Sequence, residues 1–204
     1  MMTLEDIKLE MAETIRLYNS KGWSPATSTN YSFKDELNTV WVSRSGVDKS
    51  QFSENDFIVV DEFGNATKEF AEQRPSAETL IHCVLYQLFP ETKVILHSHS
   101  VFPVVMSELQ KTGNISFHGY EVQKGFVGQP SHESQLLIPV FENTQDMVQF
   151  SETLKQNVAR ISNHSFLMKK HGTYAWGKDL FEAKRHLETL EYLCECEYRL
   201  HAIK

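Results

Sequence analysis

The sequence predicts an α/β fold: one three-layer domain over residues 1–204, with a mixed, largely antiparallel central sheet flanked by helices. Three observations predict it. Apolar residues with helical periodicity mark both ends of the chain. Between them lie short strand-like runs, interleaved with a few further helices. Those runs are spaced too irregularly for a repeating strand–helix unit, and no internal repeat, low-complexity segment or long linker divides the chain.

Each element has its own signal. Leu4, Ile7, Met11, Ile15 and Tyr18 recur at three- and four-residue steps, one face of a helix, with Thr3 as its N-cap. "TVWVS" (39–43) and "FIVVD" (57–61) read as strands, and "EFGNAT" after the second as a turn. Pro75 and Ser76 open a helix, "SAETLIHCVLYQLF", that Pro90 ends. "KVILHSH" follows as a strand. "VFPVVMSELQK" reads as a helix confined or kinked by Pro103. "NISFHGYEV" and "QLLIPVF" read as strands, and "TQDMVQFSETLKQNVA" as an amphipathic helix. "SFLMKKHG" and "TYAWG" look like two strands joined by a tight turn at Gly172. A long helix starts near Leu180, with Leu180, Ala183, Leu187, Leu190 and Cys194 on one face.

Composition narrows the class of function. Hydrophobic residues make up 41% and charged residues 23%, as in an ordinary globular chain. No apolar run approaches the roughly 20 residues of a membrane span. The N-terminal stretch is acidic within a helical pattern, unlike a signal peptide. The net charge of −7 argues against nucleic acid as the main partner, but a small phosphorylated substrate needs only a local site. The three cysteines (Cys83, Cys194, Cys196) have no framework spacing, and "CEC" reads as helix packing. A reducing compartment, the cytoplasm, is expected.

The chemistry starts at "VILHSHS", residues 94–100. In a strand, residues two apart share a face, so the imidazoles of His97 and His99 can converge on one ion. Catalytic zinc commonly takes three protein ligands and leaves a position open. His118 and His171 each end an apolar run and precede glycine, and the pattern does not choose between them as third ligand. His186 and His201 read as a solvated helix face, His82 as a packed core histidine, and His132 and His164 as loop residues. "SPATSTNYS" and "SRSGVDKS" gather hydroxyls, an amide, Ser45, Gly46 and one cation, Lys49, a set suited to phosphate. Ser76 heads a helix, where free N–H groups attract anions, and Glu78 falls in its first turn.

In chain order stand "GWSPATSTNYS", "SRSGVDK", "RPSAETLIH", "ILHSHS" and "KKHGTYAWG", the last ahead of a long helix. Together they resemble the class II aldolase/adducin head family over roughly residues 3–200. With "HGYEVQKG", the pattern is most similar to the family's dehydratases, which act on 5-methylthioribulose 1-phosphate in methionine salvage. The resemblance implies His171 as the third ligand beside His97 and His99, and a zinc ion in each subunit. It implies a phosphate site at Thr27, Ser28, Asn30, Ser45, Gly46 and Ser76. It implies Glu121 as the catalytic acid/base, with Glu78, where the aldolases keep a metal-side glutamate, as the weaker candidate. Thr29 and Ala77 stand where aldolases often have glycine and serine, and Thr79 stands where eukaryotic-type dehydratases have a cysteine, so those contacts are not carried over. The implied partners are a small phosphorylated ketose and three further copies of the chain, in a homotetramer with active sites at subunit interfaces. A ketose-phosphate aldolase or 4-epimerase is the alternative. The adducin-type interaction modules of the family lack the metal histidines that this chain has.

Overall fold

A computed structural model describes residues 3–203. Helix α1 (Leu4–Ser20) starts at Thr3, whose hydroxyl accepts from the Asp6 N–H while the Asp6 carboxylate accepts from the Thr3 N–H. Its predicted apolar face is the buried one: Met11, Ile15 and Tyr18 are in the core. Strands β1 (Tyr31–Lys34), β2 (Val40–Ser43) and β3 (Phe57–Val60) follow, then α2 (Thr79–Leu88), β4 (Val94–Ser98) and α3 (Val101–Leu109). The second half holds β5 (Asn114–Phe117), β6 (Leu136–Phe141), α4 (Met147–Gln156), β7 (Ser165–Met168), β8 (Gly172–Gly177) and α5 (Leu180–Ala202).

The eight strands form one sheet in the order β3-β2-β1-β4-β8-β7-β6-β5. Only the β6–β7 pair is parallel among these neighbours, which gives the expected mixed, largely antiparallel sheet. Strand alternation divides the core in two. Ile95, Tyr174 and Trp176 face α2 and α4, packing on Ile81, Leu85, Phe150 and Leu154. Val94, Leu96 and Ala175 face the other way, toward Met11 and Ile15 of α1 and Ala183 and Leu187 of α5. His97 therefore points to the α2 side and Ser98 to the α5 side. Among the described residues no helix is long and apolar enough to cross a membrane, and the three cysteines are free.

Four local expectations are corrected. Residues 31–34, where no strand is expected, form β1, because Tyr31 and Phe33 fill the α1 side of the sheet. Helix α2 begins at Thr79, three residues after Ser76. Residues 76–78 form a turn, with the Thr79 N–H bonded to the Ser76 carbonyl. Strand β5 stops at Phe117, and residues 121–125 are a short 3₁₀ turn. The β7–β8 turn rests on Lys170 at φ 55°, not on Gly172, which is already in β8. Gly172 is required for close approach: a Cβ there would lie 2.1 Å from the Ser98 carbonyl oxygen and 2.8 Å from His99 Cδ2. Pro103 sits in the first turn of α3, where its missing N–H costs nothing.

Candidate functional site

The end of β4 meets the β7–β8 turn, and there His97, His99 and His171 come together. One nitrogen from each lies within 4.8 Å of the others. The Nδ1–H of His97 donates to the Thr173 carbonyl at 2.9 Å, which leaves Nε2 with its lone pair directed at the neighbours. That Nε2 is 2.7 Å from Nε2 of His99. Burial pulls the pKa of His97 well down, and burial followed by the nearby His171 pulls His99 to about 4. Both rings are thus neutral near pH 7. Two neutral nitrogens at this separation need a shared proton or a cation between them. The Nδ1 of His171 lies 3.2 Å from Asn143 Oδ1, which leaves its Nε2 on the cluster side. The donor set is the three-imidazole kind that suits zinc, and two of the three rings, His97 and His171, are oriented through a partner outside the set. The residues present fit a divalent metal.

Glu78 closes the fourth side. Its Oε1 is 3.0 Å from His171 Nε2 and its Oε2 is 3.4 Å from His97 Nε2. Tyr174 O–H and Asn30 Nδ2 each donate to Oε2 at 2.8 Å. Behind Asn30 runs a chain of oriented groups. Asn30 Oδ1 accepts from His82 Nε2–H, His82 Nδ1 accepts from Ser32 Oγ at 2.7 Å, and Ser32 Oγ is 2.8 Å from Tyr86 O–H. Burial holds His82 near pKa 4, so this neutral tautomer persists. Burial alone would raise the Glu78 pKa. Hydrogen bonding to His171 and Tyr174 and the electrostatic attraction of the adjoining His97 and His171 rings outweigh it and hold the carboxyl well below the usual range. Glu78 is an ionised carboxylate set beside the three histidines.

Next to this group is a cleft of about 190 Å³. Thr27, Ser28, Asn30, Ser45, Gly46 and Ser76, all six residues expected at the phosphate, line it together with Glu78 and His99. Ser28 Oγ and Arg44 Nε are buried here without a hydrogen-bond partner, two donors suited to an anion. Ala26, Thr27 and Thr29 all have positive φ (54°, 57° and 76°), strain of the kind that collects in ligand-clamping loops. Ser76 holds the loop in place, accepting from Asn30 Nδ2 at 3.2 Å and from the Glu78 N–H at 3.3 Å.

Not every expected residue is in the group. Lys49, the expected cation, is buried against Phe52 with its ammonium on the Val47 carbonyl at 3.2 Å. The cationic residue lining the cleft is Arg44, which also pairs with Asp56 at 2.6 Å. Glu121 lies on the 3₁₀ turn, its side chain 70% exposed, in contact with Lys124 and 3.5 Å from His132. It does not line the cleft within this chain. The bond from Lys124 lowers its pKa, opposite to the raised value expected of a general acid. His118 is exposed and outside the cluster. His186, read as solvated, is fully buried: its Nδ1–H donates to the Trp176 carbonyl at 2.7 Å and its ring stacks on Phe126. His82 is the core histidine expected. Sequence reasoning missed Tyr174, Asn143 and Arg44. Tyr174 is the cross-strand partner of His97, stacked on it at 4.0 Å, and strand register is not readable from either segment alone.

This fold and this group of residues define a class. A family model described as "Class II Aldolase and Adducin N-terminal domain" matches residues 9–198, and the chain belongs to that family. More particularly, it is 48% identical over 191 residues to the methylthioribulose-1-phosphate dehydratase of Picosynechococcus sp., covering 93% of this chain and 90% of that protein. It is 42% identical to the enzyme of the same name from Marinobacter nauticus, over 92% of this chain and 90% of the relative. Among solved structures, YgbL from Klebsiella pneumoniae superposes with a TM-score of 0.79 at 20% identity, over 98% of this chain and 92% of that one. An L-fuculose 1-phosphate aldolase superposes with a TM-score of 0.78 at 20% identity, over 97% and 87%. At that identity these two structures support the fold.

Proposed function

We propose that the chain is a zinc-dependent hydro-lyase that converts 5-methylthioribulose 1-phosphate to 2,3-diketo-5-methylthiopentyl 1-phosphate in methionine salvage. The observation that carries the reading is the junction of His97, His99, His171 and Glu78 with a cleft lined by unpartnered donors, in a chain 48% identical to a protein named for that dehydration. The whole chain acts as one catalytic domain, 1–204, in the cytoplasm.

In this reading Thr27, Ser28, Asn30, Ser45, Gly46 and Ser76 hold the phosphate, with Arg44 as the neighbouring cation. Fixing that end of the substrate brings C3 and C4 to the histidine end of the cleft. Zinc, when bound, supplies Lewis-acid polarisation of the C2 carbonyl, which makes the proton on C3 more acidic. Glu78, ionised and held by Asn30 and Tyr174, takes that proton. The C4 hydroxyl leaves as water with a proton from a second group, and the resulting enol tautomerises to the diketone. Glu121 is that second group, brought by a neighbouring copy in a homotetramer whose sites lie at subunit interfaces. Removal from water at such an interface would raise its pKa toward the range a general acid needs.

Incubation with methylthioribulose 1-phosphate tests the reading: the diketone and one equivalent of water are the expected products. Dihydroxyacetone phosphate or glycolaldehyde phosphate instead would replace the dehydratase by an aldolase. Glu121→Gln should keep its metal and lose dehydration; near-normal turnover would remove Glu121 from the mechanism.

A further inference from the structure

The two serines of "HSHS" alternate with the two histidines, so they point to the opposite side, toward α5. On that side Leu187, Leu190, Leu193 and Cys194 of α5 are buried, and among them lies one carboxylate, Glu191. Glu191 is 4% exposed and has no cation within hydrogen-bond reach among the described residues. Ser98 Oγ donates to its Oε1 at 2.9 Å, and Ser100 Oγ contacts both carboxylate oxygens at 2.5 Å. Both serines are buried as well. A carboxylate placed here costs desolvation that an apolar residue would avoid, so packing alone does not account for it.

The backbone shows what that role is. The β4–β8 ladder ends at the Ser98–Thr173 pair, and His99 is the next residue. No strand holds His99. Its N–H donates to the Trp23 carbonyl at 2.9 Å, and the segment then turns into α3. Ser100 is the N-cap of α3, where a serine hydroxyl ordinarily accepts from the helix N–H groups. Here it makes no capping bond and donates to Glu191 instead. The serines before and after His99 are therefore tied to one rigid point on the long helix.

We propose that Glu191 is a positioning residue for the metal site: from α5 its carboxylate binds the hydroxyls of Ser98 and Ser100 and so fixes the direction in which His99 presents its nitrogen. The inference rests on the reading of His97, His99 and His171 as zinc ligands. It predicts that the carboxylate matters for metal affinity and geometry more than for folding.

The test compares the purified wild type with Glu191→Leu and Glu191→Gln. Zinc affinity is measured by competition with a chromogenic chelator, ligand geometry by the visible spectrum of the cobalt-substituted proteins, and folding by thermal melting. Glu191→Leu, which leaves the Ser98 and Ser100 hydroxyls without their acceptor, should stay folded with a lowered melting temperature, bind zinc about 10- to 100-fold more weakly and show an altered cobalt spectrum. Glu191→Gln, which keeps an acceptor for the serines, should recover affinity to within a few-fold. A folded Glu191→Leu protein with wild-type affinity and spectrum would overturn the inference while leaving the zinc reading intact. A wild-type protein that binds no zinc would overturn both. If Glu191→Leu does not fold, Ser100→Ala decides: a three- to tenfold loss of affinity supports the inference, and unchanged affinity overturns it.

Discussion

Among the described residues there are two clusters of histidine with acid, and they have opposite fates. His97, His99 and His171 gather with Glu78 at the end of β4, and His164, just before β7, gathers with Glu182 and His186 of α5. Both sets have ligand-type atoms within 4.8 Å of each other, and burial lowers the pKa of His186 as it does that of His97. The difference lies in where the second ring nitrogen points. His97 gives one nitrogen to a backbone carbonyl and turns the other toward His99 and Glu78. His186 also gives Nδ1–H to a carbonyl, but its Nε2 accepts the Val127 N–H at 3.2 Å, and its ring is stacked on Phe126. Both nitrogens of His186 serve the fold. Proximity of histidines does not make a metal site; an unclaimed lone pair facing other unclaimed lone pairs does.

The strongest way to break this contrast is to remove one histidine from each cluster. His97→Ala should lose bound zinc by elemental analysis and lose turnover by about 10³-fold or more, the scale of several kcal/mol of Lewis-acid stabilisation. Retained stoichiometric zinc would defeat the first cluster as a metal site. Glu78→Gln sharpens the contrast from the other side. It should keep zinc, because the three imidazoles remain, and lower kcat by about 10²- to 10⁴-fold through loss of the base. Full activity in that variant would leave Glu78 a structural neighbour only.

In the second cluster the expected loss is in stability. His186→Ala strands the Val127 N–H and the Trp176 carbonyl and removes the ring from Phe126. Urea unfolding should show a loss of about 2–3 kcal/mol with zinc content unchanged. A His186→Ala protein that unfolds like wild type but has lost zinc would reverse the roles assigned to the two clusters.

The two clusters also differ in how legible they were. The "HSH" pair is readable as a pair because period-two alternation needs no knowledge of the rest of the chain, although β4 itself ends at Ser98 and His99 is held by the Trp23 carbonyl. Helices α1 and α5 are readable for the same reason, since their faces repeat within one segment. What failed depends on partners distant in sequence. Tyr31–Lys34 is four residues long and half polar, and only pairing with β2 and β4 makes it a strand. The polar neighbours of His186 along α5 suggested solvent, but Trp176 and the loop at Phe126 cover it. The residues expected at a phosphate could be gathered by resemblance, and all six line one cleft, yet the cation beside them is Arg44 and not Lys49. Charge on a loop says nothing about which side chain the loop buries.

The smallest effect concerns protons at the second cluster. Burial depresses the pKa of both His164 and His186 below 6.5, assisted for His186 by His164 and Arg185 and opposed by Glu182 and the Trp176 carbonyl. The unfolded chain, whose histidines titrate near 6.5, therefore binds more protons than the folded chain as pH falls below that value. Their contribution to stability is complete above about pH 6.5 and is lost as pH falls toward the folded pKa values. Urea midpoints of the metal-free protein should drop between pH 7.5 and 5.5. His97 and His99 contribute a drop of the same sign and Glu191, raised by burial to about 7, a rise, so the informative quantity is the difference from His186→Gln, whose amide can still donate to Trp176 without titrating. That variant should show a shallower fall. Equal slopes in the two proteins would mean that His186 accepts a proton in the folded state, which its bond from the Val127 N–H forbids, and the bonding pattern that separates the two clusters would have to be redrawn.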